Sequence, residues 1–175
     1  MSADPNCGVA HGSAAGAATP DRLLVLVFAS PVAAVLARYG PDLGFRTVLV
    51  EPGEPAVDVP TDRTARGFAE LDDELAAGTA DVVVTDHHRD ELGKLLRDAL
   101  SCPTRWIGVM GNPRHEGPHV AALTALGLPA DEIARVHRPI GLDIGSKLPA
   151  EIAVSTLAGL LADRNGRTGG FAHGG

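Results

Sequence analysis

Four runs along the chain are almost wholly apolar: LLVLVF at Leu23–Phe28, the VLV of FRTVLVEPG at Phe45–Gly53, the VVV of ADVVVTDHH at Ala80–His88, and RWIGVMG at Arg105–Gly111. An extended chain turns successive side chains to opposite sides, so runs that do not alternate with polar residues predict strands covered on both faces. The segments between them have a helical period. Pro31 suits the first turn of a helix after the first strand, and FAELDDELAAG (68–78) has helical spacing with an acidic face. RDELGKLLRDALS (89–101) places Leu92, Leu95, Leu96 and Leu100 on one stripe. HVAALTALG, PADEIARV and a last helix AEIAVSTLAGLLADR follow the fourth strand, with an irregular HRPIGLDIGSKLP before the last.

Strands alternating with helices at this spacing predict right-handed βαβ units and an α/β, Rossmann-like, doubly wound parallel sheet with helices on both faces. In such sheets ligands sit beyond the carboxyl ends of the strands. Those ends carry Ser30, Glu51, Thr85 to His88 and Gly111 to Arg114, so several polar groups are expected on one rim.

Composition narrows the picture. Apolar residues make up 45% of the 175 residues and aromatics only 3%, so the core must be built from Val, Leu, Ile and Ala. The expected organisation is a flexible leader over residues 1–20, one domain over 21–164 and a flexible tail over 165–175. A net charge of −7 without a dense Lys/Arg cluster argues against nucleic acid as a partner. The leader lacks the pattern of a signal peptide or membrane span. Cys7 and Cys102 are far apart and form no metal or disulfide framework, which fits the cytoplasm.

The first strand and helix pose the sharpest question. A G-x-G-x-x-G turn needs its glycines for a tight bend, for close approach of backbone to pyrophosphate and for helix–strand packing. Phe28, Ser30 and Ala33 stand in those places. Ala33 is compatible with close packing, whereas Phe28 and Ser30 put side chains where backbone should bend and phosphate should touch, which favours a scaffold over a pyrophosphate cradle. Glu51 lies at the separation where an acid accepts from a ribose hydroxyl, and a solvated strand end is the alternative. In TDHH, Asp86 is expected to cap the next helix, with metal binding or proton exchange by His87 and His88 as the alternative. If the chain is still extended there, the two histidines point to opposite sides. GNPRHEG places Arg114 beside a turn and a helix start, an arrangement suited to an anion or to a plain turn. His137, Arg138, Asp143 and Lys147 crowd an irregular segment of a kind more often functional than filler.

HRPIGLDIGSKLPAEIAVS closely resembles the H-x-PIGLDIG-x-x-TP-EIA-S signature of the XdhC/CoxI family, accessory proteins of xanthine dehydrogenase and carbon monoxide dehydrogenase. The resemblance extends over about Arg22 to Arg164 and includes DLGFRTVLVEP, VVVTDHH and WIGVMGNPR. His137, Pro139, Gly141, Asp143, Gly145, Pro149 and Glu151 all match. The family's G-A-G-P-V-A is F-A-S-P-V-A here, its T-H-D-H is T-D-H-H with Thr85 and His88 kept, and its G-S-R-R is G-N-P-R with Arg114 kept.

The resemblance implies the Rossmann domain of a protein that binds molybdenum cofactor and serves a molybdenum hydroxylase client, rather than an enzyme with turnover of its own. The implied cofactor-binding residues are Ser30, Glu51, Thr85, His88, Arg114, His137, Gly141, Asp143 and Gly145, with no catalytic or metal-ligating residue. On that reading Arg114 meets phosphate, Glu51 a ribose or pterin N–H, and His88 and His137 the polar edge of the cofactor. Two alternatives stay open: an NAD(P)-dependent oxidoreductase, and a ligand-free module that contacts a dehydrogenase or its own copy as a homo-oligomer.

Overall fold

The structure is a computed structural model that describes residues 22–111, 117–145 and 147–170. Among the described residues six strands form one sheet: β1 (Arg22–Val27), β2 (Phe45–Val50), β3 (Arg63–Ala65), β4 (Ala80–Val84), β5 (Thr104–Val109) and β6 (Val136–His137). The helices are α1 (Pro31–Tyr39), α2 (Asp72–Leu75), α3 (Leu92–Ser101), α4 (Pro118–Ala125), α5 (Ala130–Ile133) and α6 (Pro149–Arg164). Neighbouring strands pair in parallel in the order β3-β2-β1-β4-β5-β6. The order reverses between β1 and β4, and at that switch the carboxyl ends open a crevice.

The apolar runs behave as their pattern predicts. Along β1, Leu23, Val25 and Val27 join a core layer beneath α3, whereas Leu24 and Leu26 join the opposite layer with Ala33, Leu36 and Ala37 of α1 and Leu157 and Leu160 of α6. Each leucine or valine buried in this way contributes about 1.5–3 kcal/mol, which is why both faces must be apolar for the strand to lie in the middle. Among the described residues, no helix is long and apolar enough to cross a membrane.

One buried charge fixes the far end of the last helix. Asp81, fully buried within β4, accepts from Arg105 Nε at 2.6 Å and from Arg164 Nε at 2.8 Å, while Arg164 Nη2 donates to the Thr79 carbonyl at 2.6 Å. A carboxylate removed from water is tolerated only when paired in this way. The pairing ties the end of α6 to the amino-terminal side of the sheet, so the start of α6 faces the other rim.

Three expectations need correction. Residues 68–78 form a 3-10 turn at Phe68–Glu70 and the single-turn helix α2, not one continuous helix. The amide of Leu71 bonds to the Phe68 carbonyl, and Phe68, Leu71 and Leu75 are held by the core. Tertiary packing of three apolar residues therefore overrides the helical period. The sequence also hides β3, an edge strand with Arg63 and Thr64 exposed, and β6, two residues at the start of the segment read as irregular. Strands this short carry no readable alternation.

Candidate functional site

The first turn has the backbone of a glycine turn without the glycine. Phe28 has φ +72°, in the left-handed region that costs a side-chain-bearing residue about 1–2 kcal/mol. Its ring is fully buried beneath the Arg89 guanidinium, 4.8 Å from its centroid, and burial of about 1.5–3 kcal/mol outweighs the strain. The Phe28 amide donates to the Val50 carbonyl at 3.0 Å, and the Phe28 carbonyl accepts from Thr85 Oγ1 at 2.8 Å. The ring thus does not block the bend, as the sequence suggests; it is tucked under it.

Several of the donors that would face a phosphate, the Ala29 and Ala33 amides and the Ser30 hydroxyl, have partners within the chain. Ser30 Oγ caps α1 by accepting from the Ala33 amide at 3.1 Å and donates to Thr85 Oγ1 at 2.9 Å. Pro31 has no N–H, and the Ala34 amide bonds to the Ser30 carbonyl. Glu51, 1% exposed, accepts from the Ala29 amide at 2.8 Å, from the Gly53 amide at 3.1 Å and from Arg89 Nη2 at 3.1 Å. The carboxylates of Glu91 and Glu51 in turn hold the Arg89 guanidinium above its ordinary value. Ser30, Glu51 and Thr85 therefore stand at the carboxyl ends of β1, β2 and β4, with Ser30 bonded to Thr85 and Glu51 bonded to the Ala29 and Gly53 amides and to Arg89.

The turn after β4 departs from expectation. Asp86 Oδ1 accepts from the His88 amide at 2.9 Å, and α3 begins only at Leu92, so Asp86 closes an Asx turn and does not cap the helix. Because the chain turns there, the His87 and His88 rings lie together, 4.1 Å between centroids. No group of three potential metal-ligating side chains exists among the described residues. His88 is exposed. His87 is held below its ordinary value by burial first, then by His88 and Arg138, against Asp86 and the Met110 backbone.

The signature segment sits at the far edge of the sheet. The His137 ring stacks on Trp106, 5.2 Å between centroids and nearly parallel at 6°. Gly141, at φ +84°, lies against α6, where a Cβ would come within 2.6 Å of Ser155 Oγ. Ser155 Oγ donates to the Leu142 carbonyl at 2.6 Å, and the Leu142 amide donates to the Ser155 carbonyl. Gly141 is thus required for docking the loop on α6. Asp143 and Gly145 are exposed. Trp106, His137, Gly141, Leu142 and Arg167 line a cleft of about 240 Å³. Arg114 lies outside the described residues.

Sequence reasoning missed one convergence. Beyond β5, the Arg138 guanidinium packs so closely on Gly111 that a Cβ there would come within 2.6 Å of its Cζ. Gly117 precedes α4 without a side-chain cap, and a Cβ on it would collide with His119 Nδ1 and approach Arg138 Cδ at 2.9 Å. His119 is 6% exposed, and its Nδ1 has no hydrogen-bond partner among the described residues. Burial, and then Arg138, hold this imidazole below its ordinary value. The available signal was a single histidine in the otherwise apolar run HVAALTALG.

With the parallel sheet, its switch point and the signature loop in place, comparison with known proteins decides the family. The model of the XdhC Rossmann domain matches residues 24–160. The chain belongs to the XdhC Rossmann-domain family. It is similar to the uncharacterized protein YqeB of Escherichia coli strain K12, 33% identical over 90 residues, 51% of this chain and 16% of that protein. In fold it is similar to a crystal structure described as a xanthine dehydrogenase from Bacillus halodurans, with a TM-score of 0.66 and 24% identity over 84% of this chain and 45% of that one. The match thus spans less than half the length of either protein.

Proposed function

We propose that this chain is the Rossmann unit of an accessory protein that binds molybdenum cofactor, or a nucleotide related to it, for maturation of a molybdenum hydroxylase. Family membership supports the reading, and one observation carries it. The first turn, where a dinucleotide would lie, has its Ala29 and Ala33 amides engaged by side chains, whereas the signature loop lines a cleft beside the parallel Trp106–His137 stack.

The residues fit part of such a group. A pterin is a planar, polar-edged heterocycle, and a wall of two stacked aromatic rings with Thr156 and Arg167 nearby offers both a flat apolar contact and polar ends. About 240 Å³ lies below the ~300–1,000 Å³ of ordinary small-molecule sites, so this cleft suits a ring and not a whole cofactor. His137 and Arg167 would hold that ring, with Asp143 and Gly145 on the adjoining exposed loop. The bonds of Glu51 and Ser30 favour a part in the shape of the turn over direct contact with the ring. The cofactor, when bound, supplies the redox chemistry of its client; this chain supplies binding and protection.

Native mass spectrometry tests the reading. Protein from a host that makes molybdenum cofactor is expected to carry a pterin-sized mass that is missing when the host cannot make it. Identical spectra from the two hosts contradict it. The single tryptophan, Trp106, also reports directly on the cleft. Saturable quenching by NADH, with no pterin retained, would favour the oxidoreductase alternative.

A further inference from the structure

We propose that Asp163 is the specificity-determining residue of the Trp106–His137 cleft, accepting from the 2-amino group and the adjacent ring N–H of a pterin. The inference rests on the reading above for the cleft as a ring site, and it adds which edge of the ring is read and by what.

The carboxylate reaches the cleft because of how α6 ends. Asp163 stands in the last turn, lines the cleft and has 48% of its side chain exposed. An acid at that position faces the negative end of the helix dipole, so it works against helix stability. Arg105 offsets this and fixes the group. Its Nη1 donates to Asp163 Oδ2 at 2.5 Å, while its Nε donates to the fully buried Asp81 at 2.6 Å. Asp81 thus anchors the guanidinium, and the guanidinium orients the carboxylate beside the cleft. Arg105 takes Oδ2, and a carboxylate keeps acceptor capacity for further donors.

Glycines shape the rest of the cleft for a flat ring. A Cβ on Gly108 would come within 2.1 Å of Trp106 Cη2, so only glycine lets the indole lie across β5 there. His137 stacks parallel to that indole. On the α6 side, Gly159 lies so near the signature loop that a Cβ on it would come within 3.2 Å of Gly141 Cα. Arg167, whose amide donates to the Ala162 carbonyl at 2.8 Å, lines the same cleft and brings a donor to it.

The chemistry of the carboxylate decides which ring. It only accepts, and so it favours an edge with two neighbouring N–H donors, which the 2-amino-4-oxo edge of a pterin presents. Adenine sets its amino group beside an acceptor nitrogen, which would meet the carboxylate with like polarity. Lumazine, a pterin with oxygen in place of the 2-amino group, does the same. A site built around such a pair rejects the analogue that lacks one donor, because a polar group is then left unpaired.

Quenching of Trp106 fluorescence in the whole chain, titrated with pterin and with lumazine, tests the assignment, and circular dichroism confirms that Asp163→Asn is folded. The parent should bind pterin at least about tenfold more tightly than lumazine, the difference of one charge-assisted hydrogen bond. Asp163→Asn should weaken pterin about tenfold and bring the two ligands within about twofold of each other. A merely structural role would weaken both ligands alike and keep their ratio, and that result overturns the proposal. A parent that binds both equally also overturns it, while leaving the cleft as a ring site. Saturable quenching by neither ligand removes the ring site as well.

Discussion

The two ends of the carboxyl rim treat their polar groups in opposite ways. At β1, β2 and β4, Ser30, Glu51, Thr85 and Arg89 bond to one another and to the amides of Ala29, Ala33 and Gly53. At β5, the buried Nδ1 of His119 has no hydrogen-bond partner among the described residues. A closed network fixes a shape. The contrast teaches that a Rossmann sheet can keep its crevice while its first turn spends side-chain hydrogen bonds on its own backbone.

Changes to the closed end should cost stability. The largest effect is expected for Phe28→Ala, which empties a buried ring site and keeps a Cβ at φ +72°, for a loss of about 3–5 kcal/mol by denaturant unfolding. Phe28→Gly should lose less than Phe28→Ala, by about 1 kcal/mol, because glycine adopts that conformation without strain. The reverse order would remove the backbone argument for this turn.

Glu51→Gln comes next. It breaks a pair whose acid is buried and whose guanidinium is 30% exposed, so about 2–3 kcal/mol is expected, below the 3–5 of a fully buried pair. Ser30→Ala removes a helix cap and should cost about 1 kcal/mol. A stability loss from Arg138→Met larger than that from Glu51→Gln would erase the distinction between the two ends.

The smallest effect is a pH dependence at the open end. His119 is held below its ordinary value in the fold, so the unfolded chain takes up its proton more readily. Its contribution is intact above about pH 6.5 and is lost as the pH falls from there toward the lowered folded value. His87, facing His88, Arg138 and Asp86, acts in the same direction. Thermal melts between about pH 7 and 5 should show stability falling on acidification, and His119→Phe should flatten that slope.

Most of the frame was legible because burial on both faces leaves a mark in the residues themselves: Leu23–Phe28 and Ala80–Val84 could hardly be anything but inner strands. The signature loop was legible as chemistry, since glycine, proline and charge crowd together there. What sequence could not show is where hydrogen bonds end. Glu51 reads the same whether it meets a ribose or the Ala29 amide, and His119 reads as one more residue of an apolar helix until its unpartnered nitrogen is placed beside Arg138. Asp86 similarly stands where a cap belongs, and only the late start of α3 reveals the Asx turn.

An NMR titration with a free pterin, following backbone amides and histidine rings together, tests the central claim most directly. The His137 ring signals should move with saturation while the Ala29 and Ala33 amides, already bonded to Glu51 and Ser30, stay in place. Saturable shifts at Ala29 and Ala33 with a silent His137 would contradict it.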